Sequence, residues 1–350
     1  HDAGHAIAAL RISAALLGWR LVVLDELGDQ QVSQILGLDR AKDFDQAEDE
    51  HPICIAAVVP HEVSINFEFD IDAISKAEWM GHANLLSESH VEWQIIDLAA
   101  AATIKDRTSK VSKHFELHSM QISDENDFMS AEKIIQQRRS CLGLDGRTSI
   151  SRETFYSMMQ RVIPSSSRFP FDALAQSEMG TPRIHFAIFV HRVQGLDQGL
   201  YLLVRNPAAT EDLKAAMNAK FKWEGTESPG LYLLEAGDFR ARATGVACGQ
   251  NIGGDGVFSL GMIAEFETPN RKIGWWMYRR VFWEAGFIGQ ILYLEAEAAG
   301  IRATGIGCYF DDPMHELLGL QGRQFQDLYH FTMGGPVEDE RLTTEPAYER

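Results

Sequence analysis

At 350 residues the chain exceeds what one ordinary hydrophobic core fills, and it fits two domains, or one domain and a large part of another. Its 45% hydrophobic and 23% charged residues are the balance of a folded, soluble chain and exclude dominant disorder. The 50 acidic against 32 basic residues leave a net charge of −18, which repels nucleic-acid phosphates and anionic lipid surfaces but leaves room for a local basic pocket around a phosphorylated cofactor.

The chain opens on His1-Asp2-Ala3-Gly4-His5, without methionine and already inside a helical pattern, so we expect further residues to precede it in the natural protein. The apolar run over residues 3–17 carries His5 and Arg11. It is too short and too polar to span a membrane, and it lacks the basic flank and cleavage pattern of a signal peptide.

This opening segment has a counterpart near the other end. Residues 2–38 align without a gap to residues 284–320, pairing Ala3 with Ala285, Gly4 with Gly286, Leu10 with Leu292, Ala14 with Ala296, Gly18 with Gly300, Arg20 with Arg302, Asp29 with Asp311 and Leu36-Gly37-Leu38 with Leu318-Gly319-Leu320. Roughly two or three identities are expected over such a length from average composition. Each copy reads as a buried helix, apolar nearly all round, stopped by Gly18 or Gly300. A glycine-containing turn, a short helix ending in Leu-Gly-Leu and an apolar strand follow, at residues 52–59 and 328–333. We expect a duplication in which residues 1–60 are the C-terminal half of a first domain.

Residues 61–130 read as a connecting segment. Strand-like alternation runs over 61–75, a helix over 88–104 is capped by Ser87, and an exposed polar linker covers 105–127. A second, complete domain is expected over 131–350. Its elements are helices at 131–139, 152–160, 211–219 and 239–250, with strands at 184–192, 199–204, 230–235 and 257–266. This mixed order indicates an α+β fold, a mostly antiparallel sheet wrapped by helices. Cys54, Cys141, Cys248 and Cys308 form no CxxC pair, so neither a disulfide framework nor a zinc ribbon is indicated, and reduced thiols in a cytoplasm are the expectation.

Three motifs stand in order through the second domain: Gln137-Arg138-Arg139-Ser140 at the end of its first helix, Val162-Ile163-Pro164-Ser165-Ser166 after the next, and the segment from Trp283 through GIRATGIGCYFDDPMHELLGL to LYHFTMGGP. In this combination the chain resembles the nitroreductase-like FMN flavoproteins, especially the branch of SagB-type azoline dehydrogenases, in a tandem form. The resemblance covers the second domain from end to end, and residues 1–60 resemble the C-terminal half of the same fold. It implies an FMN-dependent oxidoreductase working by ping-pong hydride transfer at flavin N5, with NAD(P)H as a candidate electron donor and a small molecule or peptide azoline as substrate. It also implies a homodimer, or an intrachain pseudodimer built by the duplication. The other class of reading is a degenerate scaffold or partner-binding module of the same fold without redox activity.

An FMN needs fixed positive charge and hydroxyl donors at its phosphate, a flat apolar slot, and a hydrogen-bond donor near N5. Arg138, Arg139 and Ser140 are the candidates for the phosphate, with Arg341 as a further one. The resemblance places Pro164, Ser165 and Ser166 against the flavin, although Ser167-Arg168-Phe169 stands where many nitroreductases carry Asn and Gln-Pro. The loop Gly305-Ile306-Gly307 is small enough for close backbone approach, and its amides are candidates for the N5 donor. Gln250 is a candidate for the pocket wall. No side-chain acid or base is required for flavin reduction, and the Lys–Tyr pair associated with the azoline branch has no counterpart that can be mapped here, since no lysine follows Lys272.

Other signals have simpler readings. His1 and His5 stand one helical turn apart, a spacing that can bind zinc, but their partners in the repeat are Trp283 and Phe287 and no metal is expected. The stretch Gly249-Gln250-Asn251-Ile252-Gly253-Gly254-Asp255-Gly256 lacks the strand-then-helix frame of a nucleotide loop and reads as a turn. Asp311 and Asp312 suit a helix N-terminus. Trp275, Trp276, Tyr278, Phe282 and Trp283 read as core.

Overall fold

The computed structural model describes residues 1–44, 47–63, 69–89, 91–109, 129–164, 169–174, 176–341, 343 and 345. Helix α1 (Asp2–Leu16) ends where Gly18 turns left-handed at φ 73°, a conformation that favours glycine. Strand β1 (Trp19–Val23), α2 (Asp29–Leu36) and β2 (Ala56–Pro60) follow, and β2 pairs antiparallel with β1. The expected turn after Gly18 is thus a strand, in which Leu21, Val22 and Val23 are buried.

The connecting segment departs from expectation at each of its elements. The alternation expected over 61–75 ends in a helix, α3 (Ile71–Ser75), because Asp70 caps it by accepting the Ala73 N–H at 2.9 Å. Residues 64–68 lie outside the described residues. The expected helix over 88–104 is the shorter α4 (Gln94–Ala102), with Trp93 and not Ser87 at its N-cap. The supposed exposed linker begins with a buried residue. Lys105 Nζ donates to Leu27 O at 3.1 Å and to Thr108 Oγ1 at 3.2 Å, while Asp29 accepts its backbone N–H at 2.9 Å. Residues 110–128 lie outside the described residues.

The remainder is α5 (Ala131–Gln137), β3 (Ile150–Ser151), α6 (Arg152–Arg161), β4 (Ile184–Val190), β5 (Val193–Gln194), β6 (Gly199–Leu203), α7 (Thr210–Ala216), β7 (Glu224–Gly225), β8 (Leu231–Ala236), α8 (Arg240–Val246), α9 (Ile252–Asp255), β9 (Phe258–Glu265), α10 (Glu267–Ile273), α11 (Met277–Ala298), β10 (Arg302–Ile306), α12 (Asp311–Leu318) and β11 (Phe325–Gly334). The helix expected over 239–250 breaks after Val246, because Cys248 and Gly249 both adopt positive φ, and the glycine-rich stretch behind it forms the one-turn α9.

A seven-stranded antiparallel sheet runs in the order β10-β11-β9-β4-β6-β8-β7. Its central β4 is buried along its whole length, which explains why IHFAIFV shows no polar alternation. Phe186 and Ile188 face one core with Phe155, Met158 and Phe287 from α6 and α11. Ala187 and Phe189 face a second core with Leu213, Ala243 and Met314 from α7, α8 and α12. Burying each large apolar side chain contributes about 1.5–3 kcal/mol, so the sheet is clamped from both sides. A buried ion pair adds direction, for Arg205 donates to Glu284 Oε1 at 2.6 Å while Glu284 accepts the Arg183 and Ile184 N–H groups, tying α11 to the start of β4.

Helix α1 packs along α11, and the first 60 residues are bolted to the rest by charge. Arg11 grips Asp172 with two hydrogen bonds of 2.9 and 2.8 Å, Arg280 meets Asp25 at 2.9 Å, and Arg279 pairs with Asp29. The alignment of Gly4 with Gly286 carries α2 onto α12 end for end and carries the end of α1 onto the end of α11. Gly37 and Gly319 both stop their helices with left-handed φ, at 73° and 79°. In both places the two strands flanking the short helix form an antiparallel pair.

Candidate functional site

The arginine motif is placed by α5. Ser130 caps that helix by accepting the Lys133 N–H at 3.2 Å, and the helix ends with Arg138 in an extended conformation, so the chain leaves the last turn and runs alongside β10. Ser140 bridges to Ala303 of β10, and Cys141 and Thr304 exchange hydrogen bonds through Thr304 Oγ1 at 3.1 and 2.7 Å. The Arg138 guanidinium lies 5.0 Å over the Tyr293 ring, and among the described residues it has no carboxylate partner. Arg139 donates to the carbonyls of Gln136 and Arg138 at 3.1 and 2.8 Å, which folds its charge back onto the helix end.

Tyr293, on α11, joins this motif to the glycine segment. Its hydroxyl lies 3.0 Å from Ser140 Oγ and accepts the Gly305 N–H at 2.9 Å. The two places singled out in the sequence therefore meet on one phenol. Gly305 is required by close approach, since a Cβ there would overlap the hydroxyl of Tyr329 on β11. Tyr329 in turn stacks on His1 at 4.1 Å and lies 3.3 Å from His5 Nε2, while His5 Nδ1 lies 3.2 Å from Gln290 Oε1. Burial holds the His5 ring below its usual pKa, partly opposed by the Gln290 hydrogen bond, and burial pushes the Tyr329 phenol well up. The site is thus built from two stretches, with His1 and His5 at the start of α1 facing residues of α11 and β11.

Several expectations change. Gly305 and Ile306 are not a loop but the last residues of β10, paired with Phe331 and His330, and only Gly307 lies beyond the strand. The Gly305 amide is already donating to Tyr293, so it is not free for a ring nitrogen. Space in front of Gly307 is open, since a Cβ built there meets nothing within 4 Å. Gln250 Nε2 donates to Cys308 O at 3.1 Å, which puts it next to the residue after Gly307. Arg341 is exposed and held by Asp339 at 2.8 and 2.7 Å, and no contact among the described residues joins it to Arg138. Pro164 is buried behind α6, next to Val162, whose carbonyl accepts from Arg205. Ser165 and Ser166 lie outside the described residues, and beyond them Phe169 sits under the Arg11 guanidinium at 4.8 Å, on the α1 side. The tryptophan cluster is only partly core. Trp275 is exposed, while Trp276 and Trp283 are buried around Arg280, which lies 3.8 Å over Trp283.

Sequence reasoning missed Tyr293, Tyr329, His5 and Gln290. A signal existed for Tyr293, a polar ring within a helix that is otherwise apolar on most sides, and it stands where the repeat has Arg11. Tyr329 gave none, because an apolar strand accommodates it as core, and His5 reads in the sequence only as half of a metal-ligand spacing with His1.

No family model matches the chain, and no curated protein matches it. Among solved structures, a protein of Anabaena variabilis assigned as a nitroreductase matches 96% of this chain at 18% identity with a TM-score of 0.65, and this chain spans only 64% of that protein's length. The E. coli microcin synthetase McbBCD complex with truncated pro-MccB17 bound matches 64% of this chain and 79% of the other at 17% identity, with a TM-score of 0.42. The NADPH:FMN oxidoreductase of Vibrio harveyi complexed with NAD+ matches 62% of this chain and 73% of the other at 14% identity, with a TM-score of 0.37. At such identities the likeness is one of architecture, and the match at a TM-score of 0.65 over 96% of the chain shows that it has the nitroreductase fold.

Proposed function

We propose that the chain is an FMN-dependent oxidoreductase of the nitroreductase type, with its phosphate site at Arg138, Arg139 and Ser140. The observation that carries this reading is the meeting of Ser140 and Gly305 on the Tyr293 hydroxyl beneath an Arg138 that no described carboxylate neutralises. Two guanidinium groups and a serine hydroxyl are the donor set that a phosphate monoester dianion takes. Because Tyr293 accepts from Gly305, its own proton is available to Ser140, which frees the exposed Ser140 hydroxyl to donate outward to an anion. The ring end fits differently from expectation. Gly307, in open space, replaces Gly305 as the candidate backbone donor, with Gln250 beside it. Bound there, FMN would supply two-electron redox chemistry.

On this reading the repeat records a duplication that converts a two-subunit arrangement into one chain, with residues 1–60 as part of one copy and 131–350 as the other. The charged junction and the histidines that α1 contributes beside Tyr329 support it. Substrates of the reading are small molecules or a peptide azoline, the donor is NAD(P)H, and the compartment is the cytoplasm. No helix among the described residues is long and apolar enough to cross a membrane.

One observation favours the second reading, a scaffold of the same fold without redox activity: Tyr329 and His1 stack directly beside Gly305. Absorbance of the purified full-length protein separates the two. The flavoprotein reading expects visible flavin bands and stoichiometric uptake of added FMN. A colourless protein that takes up none assigns the scaffold.

A further inference from the structure

Two sulfurs far apart in sequence meet beside the candidate site. Cys308 Sγ lies 2.6 Å from Cys248 Sγ, although 60 residues separate them. Their backbones are held together without help from sulfur, since the Phe310 N–H donates to Val246 O at 2.8 Å and the Gln250 side chain donates to Cys308 O at 3.1 Å. Cys248 reaches this position because the chain reverses there, with φ 60° at Cys248 and 73° at Gly249 after the end of α8. The pair is accessible, Cys308 being exposed and Cys248 half-buried.

We infer that Cys248 and Cys308 are a thiol–disulfide exchange site, which a low-molecular-weight disulfide oxidises to a reversible crosslink between the end of α8 and the β10–α12 loop. The Cys308 thiolate attacks the disulfide RSSR, forming a mixed disulfide and expelling one thiolate RS⁻. The Cys248 thiolate then attacks Cys308 Sγ, expelling the second RS⁻. The two cysteines lose two protons and two electrons, and RSSR becomes two RSH. Cys308 is the attacking sulfur because it is the more exposed and because the neighbouring thiol raises the Cys248 pKa. Cys141 is no competitor, being buried against Thr304, and burial raises its pKa, as it does that of Cys54. The crosslink pins the residue after Gly307, so it restrains the open end of the candidate site whether or not that site holds a flavin.

The test equilibrates the full chain in graded mixtures of reduced and oxidised glutathione, traps with acid and alkylation, and maps peptides by mass. The expected result is one two-electron transition producing a peptide that joins Cys248 to Cys308, with the intact mass lower by two hydrogens. Cys248→Ser should instead stop at glutathione on Cys308. Independent glutathionylation of the two cysteines in the unmodified sequence, pairing of either with Cys54 or Cys141, or persistent thiols at a glutathione ratio that fully modifies Cys308 in Cys248→Ser would each overturn the proposal.

Discussion

Gly4 and Gly286 are counterparts in the repeat, and each is the point at which its helix touches the other. A Cβ on Gly4 would overlap the carbonyl oxygen of Trp283, and a Cβ on Gly286 would overlap that of His1. Trp283 and His1 stand one position before the aligned segments in the same register, so the contact is reciprocal between aligned positions. Identity at these positions follows from backbone approach, which no residue with a side chain permits.

Gly286→Ala or Gly4→Ala should therefore force α1 and α11 apart. Overpacking of this kind costs about 1–3 kcal/mol, and Gly286→Val should cost more. The shift of the thermal or urea midpoint measures it. Unchanged midpoints for both alanine variants would mean that the two helices do not pack as closely as described.

Replacing Arg138 and Ser140 together by alanine should weaken FMN retention by at least about tenfold, since each charge-assisted hydrogen bond contributes roughly 1.5–3 kcal/mol. The fold should survive, because neither side chain is buried and Arg138 has no described ion-pair partner. Flavin fluorescence titration reads the loss, and far-ultraviolet circular dichroism checks the fold. Retention equal to that of the unchanged protein would remove the phosphate from this place.

Gly305→Ala pushes a methyl group into the Tyr329 hydroxyl. It should destabilise by about 1–3 kcal/mol, and Tyr329→Phe, which deletes that oxygen, should recover part of the loss. A double-mutant cycle by denaturant unfolding gives the coupling. Strict additivity would show that the two residues are not in contact.

His191 follows β4 and is 2% exposed, with Nε2 donating to Gly253 O at 3.2 Å and Nδ1 without a hydrogen-bond partner among the described residues. Burial lowers its pKa to about 4, because protonation would leave a second N–H unsatisfied in the interior. The unfolded chain then binds the proton more readily than the folded one. Stability from this residue is complete above about pH 6.5 and falls as pH drops towards about 4, by a total on the order of 3 kcal/mol. Urea unfolding between pH 7 and 4.5 should show the decline, and His191→Gln should flatten it. A His191 imidazole resonance, assigned by its loss in His191→Gln, that titrates near pH 6.5 in the folded protein would contradict the assignment.

The features legible in the sequence are those governed by local periodicity and by capping. The buried helix α11, the helix stops at Gly18 and Gly300, the Leu-Gly-Leu helix ends and the continuously apolar β4 all follow from residues within a few positions of one another. So does the placing of Arg138, Arg139 and Ser140 at the end of α5. Helix α1, by contrast, expected to be buried all round, exposes Leu10 and Leu16. Strands β1 and β10 escaped notice because each closely follows a helix-stopping glycine and opens on or next to an arginine, and β10 also carries Thr304 and Gly305.

What only the tertiary structure decided is which groups answer one another. Ser140 finds Tyr293 across 153 positions, His5 finds Tyr329 across 324, and Lys105, charged and expected in solvent, is buried against Leu27 and Thr108. The fate of the Gly305 amide, the capture of Arg341 by Asp339 and the meeting of Cys248 with Cys308 belong to the same class. Periodicity states which face of a helix or strand is apolar. The partner of a polar atom on that face is set by how the elements pack, and the cost of leaving such an atom unpaired then fixes the arrangement.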